Sequence, residues 1–169
     1  MSIISRKQFI SSLGAASCVL ALPQVLTSQQ QPAAAQPKLP QLDKELVRNF
    51  VGFAHKDFEK VKAMFAETPD LLNSVHNLGG WDWEDAIGAS GHVGHRDMTL
   101  FLLEQGARPT ICTAAMLGQL DVVKVFLTAF PAMKTAVGPH KISLMRHAKA
   151  GKEYGLPVVK YLQSIGITA

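Results

Sequence analysis

The stretch GQLDVVKVFL, residues 118–127, recurs along the chain in altered form. Three others align with it: KDFEKVKAMF at 56–65, GHRDMTLFLL at 94–103 and LPVVKYLQSIG at 156–166. Each copy places apolar residues on one side of a helix, so each has one face to bury. Three copies also carry an acid at the same offset, in the first turn, where free amide donors and the helix dipole favour a carboxylate. These acids are Glu59, Asp97 and Asp121.

A second kind of segment, rich in small residues, precedes the later copies. It reads IGASG at 87–91, ICTAA at 111–115 and LMRHA at 144–148. Small side chains allow neighbouring helices to approach closely, and the Ile or Leu at the start of each segment is expected to be buried. Glycine at positions 106 and 166 should end the long helices, because it enters the left-handed conformation without steric cost. The sequence thus predicts helix–turn–helix units, the last with extra residues at 152–155 before Pro157 starts its outer helix.

The chain resembles the ankyrin repeat family over about residues 42–166. The match is closest in ASGHVGHRDMTLFLLEQGA at 89–107, and TAAMLGQLDVVKVFL at 113–127 is similar. The 33 residues from Gly118 to Gly151 equal one ankyrin period. The resemblance implies an all-α solenoid of about four stacked helix–turn–helix units, which binds other proteins through its concave face and loops. The interval from Gly94 to Gly118 is only 24 residues, so the finger that usually projects between two units should be missing there.

The first residues are typical of an export leader. Arg6 and Lys7 precede an uncharged run at 9–22 that is too short to span a bilayer comfortably, and three alanines at 33–35 would suit a signal peptidase. We therefore expect a leader at 1–35, a linker at 36–41 and a repeat domain at 42–169, exported to the periplasm or secreted. No transmembrane segment is expected in the mature chain.

Two short strings in this leader resemble specific bacterial export signals. SRKQFI at 5–10 is similar to the twin-arginine signature, with Lys7 in place of the second arginine. AASC at 15–18 is similar to a lipoprotein box, with Ala15 where leucine is usual, so Cys18 is a candidate lipid anchor. The export route stays open between twin-arginine and general secretion.

Charge and cysteine content exclude some classes of function. Loss of Arg6 and Lys7 with the leader would lower the net charge from +4 to +2, too small a basic excess for a nucleic-acid binder. Cys112 would then be the remaining cysteine, so no intramolecular disulfide is expected, and we interpret it as a small buried apolar residue.

Sequence motifs for catalysis are missing. The chain contains no GxSxG, HExxH, CxxC or Walker glycine loop, which predicts a protein that is not an enzyme and needs no cofactor. A zinc site needs three or four converging ligands, and His92 and His95 offer only two in series, so no metal site is predicted. The alternative left open is a small metal-dependent hydrolase that uses Asp82, Glu84, His92 and His95.

The string GGWDWED at 79–85 is the most unusual in the chain. In one interpretation Asp82 caps the next helix, one tryptophan fills the core and the other shields the first unit. In the other, the tryptophans are an aromatic anchor with an acidic rim for a partner, since tryptophan is enriched at binding hot spots.

A second candidate contact element is the loop TAVGPHK at 135–141, within a C-terminal part that is rich in lysine and arginine. The leading hypothesis is a non-catalytic scaffold that binds another protein outside the cytoplasm; a structural or immunity-type partner of another exported protein is a further possibility. The candidate contact residues are Trp81, Asp82, Trp83, Glu84, His92, His140, Lys141 and Arg146.

Overall fold

The structure, a computed structural model, describes residues 41–168. The expected leader, with Arg6, Lys7 and Cys18, and most of the expected linker lie outside these residues. The described part is mostly helical, as the sequence predicted, with one two-stranded antiparallel sheet. Its helices are α1 Lys44–Phe53, α2 Phe58–Glu67, α3 Ala86–His92, α4 Arg96–Glu104, α5 Ile111–Met116, α6 Leu120–Ala129, α7 Leu144–Ala150 and α8 Lys152–Ser164. Within 41–168 no helix is both long and apolar enough to cross a bilayer.

The helices come in pairs that contact one another in chain order. Within each pair α1 contacts α2, α3 contacts α4, α5 contacts α6 and α7 contacts α8. Between pairs, α1 contacts α3, α3 contacts α5 and α5 contacts α7. The three predicted anchors Ile87, Ile111 and Leu144 are all buried on these first helices. Each pair therefore covers apolar surface of the next pair.

The starts and ends of the helices follow local rules that the sequence revealed. Glu59, Asp97 and Asp121 lie in the first turns of α2, α4 and α6, as predicted. Gly106 and Gly166 have φ angles of 97° and 84°, which confirms them as left-handed residues after α4 and α8.

The last pair of helices differs from its prediction. Pro157 lies inside α8, which begins at Lys152 directly after Gly151 rather than at Pro157. Proline at this sixth helical position has no amide to donate to the Glu153 carbonyl, and its ring crowds that carbonyl, so it lies in the helix at a local cost. The residues expected as an insertion are thus the first turn of the helix.

The string GGWDWED forms a β-hairpin and not an irregular loop. Strand β1, Val75–Gly79, pairs with β2, Asp82–Asp85, and the turn passes through Gly79 and Gly80, both with positive φ. Successive side chains of a strand point to opposite faces. Trp83 is accordingly half-exposed on one face, while its neighbour Glu84 is buried on the other.

Candidate functional site

A cavity of about 1030 Å³ lies between the hairpin and the segment at 131–143. Its floor is the first turn of α5, from Ile111 to Ala114, and one wall includes Val122 and Phe126 of α6. The segment at 131–143 forms the other wall; within it Val137 bridges to Ser143, so that the chain turns back on itself. We call this cavity the groove. Its lining, which also includes the two tryptophans, is mainly apolar.

The two tryptophans lie at this groove and are not core residues. Trp81 is 92% exposed and Trp83 is 52% exposed, and both line the groove. The interpretation that Asp82 caps the next helix is also wrong: Asp85 accepts the hydrogen bond from the Gly88 amide at 2.8 Å.

Three residues in the two loops have a backbone conformation that is costly for side chains with a Cβ. Trp81, His140 and Lys141 have φ angles of 67°, 57° and 56°. Such residues cost free energy and persist only where the surroundings hold them, often at binding sites. The turn at Pro139–Lys141 is held by Asp82, whose carboxylate accepts a hydrogen bond from the His140 amide at 3.0 Å.

A buried histidine also lines the groove. His147 is 1% exposed, and its Nδ1 lies 3.0 Å from the Ser143 carbonyl oxygen. Because a carbonyl can only accept, Nδ1 carries the proton and Nε2 is a bare acceptor; it has no hydrogen-bond partner within residues 41–168. Burial lowers the pKa of His147, which keeps the ring neutral.

Cys112 lines the same groove and is buried, as expected. Burial raises the pKa of its thiol to about 11, so the reactive thiolate is scarce at neutral pH. The structure therefore gives it the properties of an apolar lining residue.

A second feature lies on the other face of β2, where Glu84 meets three histidines. Its Oε1 is 3.0 Å from His92 Nε2, 3.2 Å from His140 Nε2 and 3.4 Å from His55 Nε2. Burial would raise the pKa of Glu84, but hydrogen bonds from His55 and His92 outweigh it and lower the pKa to about 2. The hydrogen bond to Glu84 likewise raises the pKa of His55. We call His55, Glu84, His92 and His140 the histidine cluster.

The candidate contact residues therefore fall into two sites. Trp81, Asp82, Trp83 and Lys141 line the groove, while Glu84, His92 and His140 belong to the histidine cluster. Arg146 is exposed on α7 and lines neither. His95, a residue of the alternative hydrolase, packs its ring against Phe58 and lies outside the cluster.

Sequence reasoning missed one member of the cluster, His55. It stands between α1 and α2, as His92 stands at the end of α3, before α4. Stacking of adjacent units places such turns side by side. A histidine at each of two successive turns was therefore the sequence signal that could have identified His55 as a neighbour of His92. Their Nε2 atoms lie 3.1 Å apart.

Comparison with known proteins adds no family assignment. No protein-family model matches this chain, and no curated protein gives a significant match.

Proposed function

We propose that the chain is a non-catalytic binding module that holds an apolar segment of another protein in the groove between the hairpin and the segment at 131–143. The observation that carries this proposal is the pair of exposed tryptophans at the edge of an apolar groove. Large exposed apolar surfaces are uncommon on monomeric proteins and mark interaction sites. Burial of these rings by a partner would be favourable in proportion to the apolar area removed from water.

The proposed architecture is an ankyrin-like solenoid of four helix pairs. It is supported by the chain-order contacts of α1, α3, α5 and α7, and by loops that project between pairs. Between α4 and α5 the connection is short, from Gln105 to Thr110, and the groove lies beside it. The missing finger thus leaves space that an occupant could fill.

The chemistry of the occupant follows from the lining. Apolar side chains suit the floor and walls, and the exposed Lys141 at the edge favours an acidic residue next to the apolar segment. A site outside the cytoplasm is part of the proposal and rests on the leader expected at 1–35.

The full chain contains two tryptophans, both at the groove, so intrinsic fluorescence reports directly on the site. We would select peptides without tryptophan from a random display library against the full chain and titrate them. We expect apolar peptides with an acid, a blue shift on binding and, for Trp83→Ala, an affinity about 30-fold lower, the loss of a typical hot spot of about 2 kcal/mol.

The matched control for this experiment is a pair of valines on α6. Val122 lines the groove, whereas Val125 is exposed outside it. We expect Val122→Ser to weaken the peptide and Val125→Ser to leave its affinity unchanged. Equal affinity for the unaltered chain, Trp83→Ala and Val122→Ser would contradict the proposal. Loss of helical circular dichroism in Trp83→Ala would instead assign that ring to the fold.

The metal-dependent hydrolase is the second candidate, and one observation favours it: Glu84 and His92 lie 3.0 Å apart in a cluster of possible ligands. The other two residues of the hydrolase hypothesis are not ligands in this cluster. Asp82 binds the turn at Pro139–Lys141, and His95 packs on Phe58. Zinc-dependent ester or peptide hydrolysis that is lost in Glu84→Gln would support the hydrolase. Zinc-loaded protein with no turnover would exclude it for those substrates.

A further inference from the structure

We propose that His55, Glu84, His92 and His140 form a binding site for a divalent transition-metal ion, with zinc the best-suited. Each residue offers one ligand atom, and the four atoms all lie within 4.8 Å of one another. This site is distinct from the groove, and the inference does not depend on the proposed binding function.

The spacing of the ligand atoms fits a metal ion. Ligands at zinc distances of about 2.0–2.1 Å in a tetrahedral arrangement stand about 3.3 Å apart. Three histidine nitrogens lie 3.0, 3.2 and 3.4 Å from the same oxygen of Glu84, and His55 Nε2 lies 3.1 Å from His92 Nε2. A small shift of each side chain would centre an ion among them.

The orientation of the rings also fits a metal ion. His55 Nδ1 lies 3.1 Å from the Val51 carbonyl oxygen, which can only accept a hydrogen bond. With Nδ1 held at that carbonyl, Nε2 of His55 faces Glu84 and can serve as a ligand once it gives up its proton. His140 is similar, with Nδ1 3.5 Å from Asp82 Oδ2 and Nε2 facing Glu84. Because metal ligands must be deprotonated, a zinc ion would take the place of the ring protons that hydrogen-bond to Glu84.

The groups behind the histidines are those that accompany metal ligands elsewhere. Ligating histidines usually donate their second ring N–H to a carbonyl or carboxylate, which fixes the ring and strengthens the ligand. Val51 and Asp82 supply these groups for His55 and His140. Asp82 also accepts a hydrogen bond from the His140 amide, so it holds the backbone of that ligand and lies beside its ring.

The chemical types of the four ligands determine which metal ions fit the site. Three imidazoles and one carboxylate suit zinc and its first-row neighbours, whereas magnesium and calcium prefer ligand sets made of oxygen alone. A cavity of about 390 Å³, lined by His55, Glu84, His140 and His76 among others, gives an ion access to the cluster.

The position of the ligands indicates what the ion would do. They come from the turn after α1, from β2, from the end of α3 and from the turn at Pro139–Lys141. A bound ion would therefore tie the hairpin and the later loop to the first two helix pairs, and we expect zinc to raise the melting temperature of the full chain.

The experiment is isothermal titration of the full chain with zinc chloride after chelator treatment, with cobalt absorption as a second readout of tetrahedral geometry. We expect one zinc ion per chain and the intense visible bands of tetrahedral cobalt. In His140→Asn, zinc affinity should fall more than about a hundredfold, because loss of a ligand costs more than the 10–100-fold typical for loss of a residue that hydrogen-bonds to a ligand. Asparagine tolerates the positive φ of this position, so the fold should be retained.

His76→Ala is the matched control, because His76 lines the adjoining cavity but is not a member of the cluster. We expect this variant to bind zinc as the unaltered chain does, and Asp82→Asn to bind about 10–100-fold more weakly. Circular dichroism identifies any variant that fails to fold. Absence of stoichiometric zinc binding to the unaltered chain, or equal affinity of His140→Asn and His76→Ala, would overturn the proposal.

Discussion

At the scale of single residues, one aspartate connects the two features of the molecule. Asp82 lines the groove, holds the turn at Pro139–Lys141 through the His140 amide, and lies behind a histidine of the cluster. The next two side chains of β2 point in opposite directions: Trp83 lies at the groove and Glu84 in the histidine cluster. Strand geometry thus lets three consecutive residues serve two sites, because adjacent side chains point to opposite faces.

The buried His147 gives a prediction on pH. Burial lowers its pKa below the 6.5 usual for histidine, so at lower pH the unfolded chain binds a proton that the folded chain does not. The free energy of unfolding should therefore fall as the pH drops below 6.5, by at most about 1.4 kcal/mol per pH unit from this group. We would compare urea unfolding of the unaltered chain and His147→Gln at about pH 7.5 and about pH 5.5.

The unaltered chain should lose more stability over this interval than His147→Gln, because the variant lacks the titrating group. The rest of the sequence is the same in both proteins, so the difference between their losses reports on position 147. An equal loss in both would mean that His147 is protonated as readily in the folded chain as in the unfolded one.

Sequence reasoning identified residues at both sites but did not separate the sites. Trp81, Trp83 and Lys141 were chosen for their composition and loop position, and all three line the groove. Glu84, His92 and His140 were chosen as partner contacts, and no metal site was predicted because spacing along the chain offered two histidines in series. The cluster depends on contacts between residues as far apart as His55 and His140, which local spacing does not reveal.

At the scale of elements, helices were predictable and the hairpin was not. Periodic apolar residues and first-turn acids are local signals, and the long helices α4 and α6 follow them closely. The strands are only five and four residues long and β1 is largely exposed, so the apolar alternation that marks a strand in a sequence is too short to recognise. The start of α8 was misplaced because Pro157 was taken as a helix start, although it lies within the helix.

Two glycines test how closely the helix pairs pack. Gly106 and Gly118 both have positive φ, and a Cβ at Gly106 would meet open space, whereas at Gly118 it would fall on the Tyr154 carbonyl oxygen of α8. Gly106→Ala should cost about 1–2 kcal/mol of backbone strain. Gly118→Ala should cost about 1–3 kcal/mol more, because the next helix pair must move away.

Urea unfolding of the full chain measures both changes, and Gly106→Ala serves as the control for backbone strain alone. If the two substitutions destabilise equally, α8 does not pack against the turn before α6, and the close contact between the last two pairs is wrong.

At the scale of the whole molecule, successive helix pairs contact one another in chain order, and two loops border one groove. The hairpin and the turn at Pro139–Lys141 contact each other through Asp82 and His140, and the short connection at 105–110 leaves the space beside them open. The groove, with its two exposed tryptophans, thus depends on the positions of both loops. The proposed metal ion would fix the relative position of these loops.

The most direct test of the account is amide hydrogen exchange of the full chain with and without a selected apolar peptide, read by mass spectrometry. Our account predicts slower exchange with peptide in the hairpin at 75–85, in the first turn of α5 and in the segment at 131–143. Slower exchange confined to α2, α4 and α8 would contradict it, because those helices would then carry the binding surface.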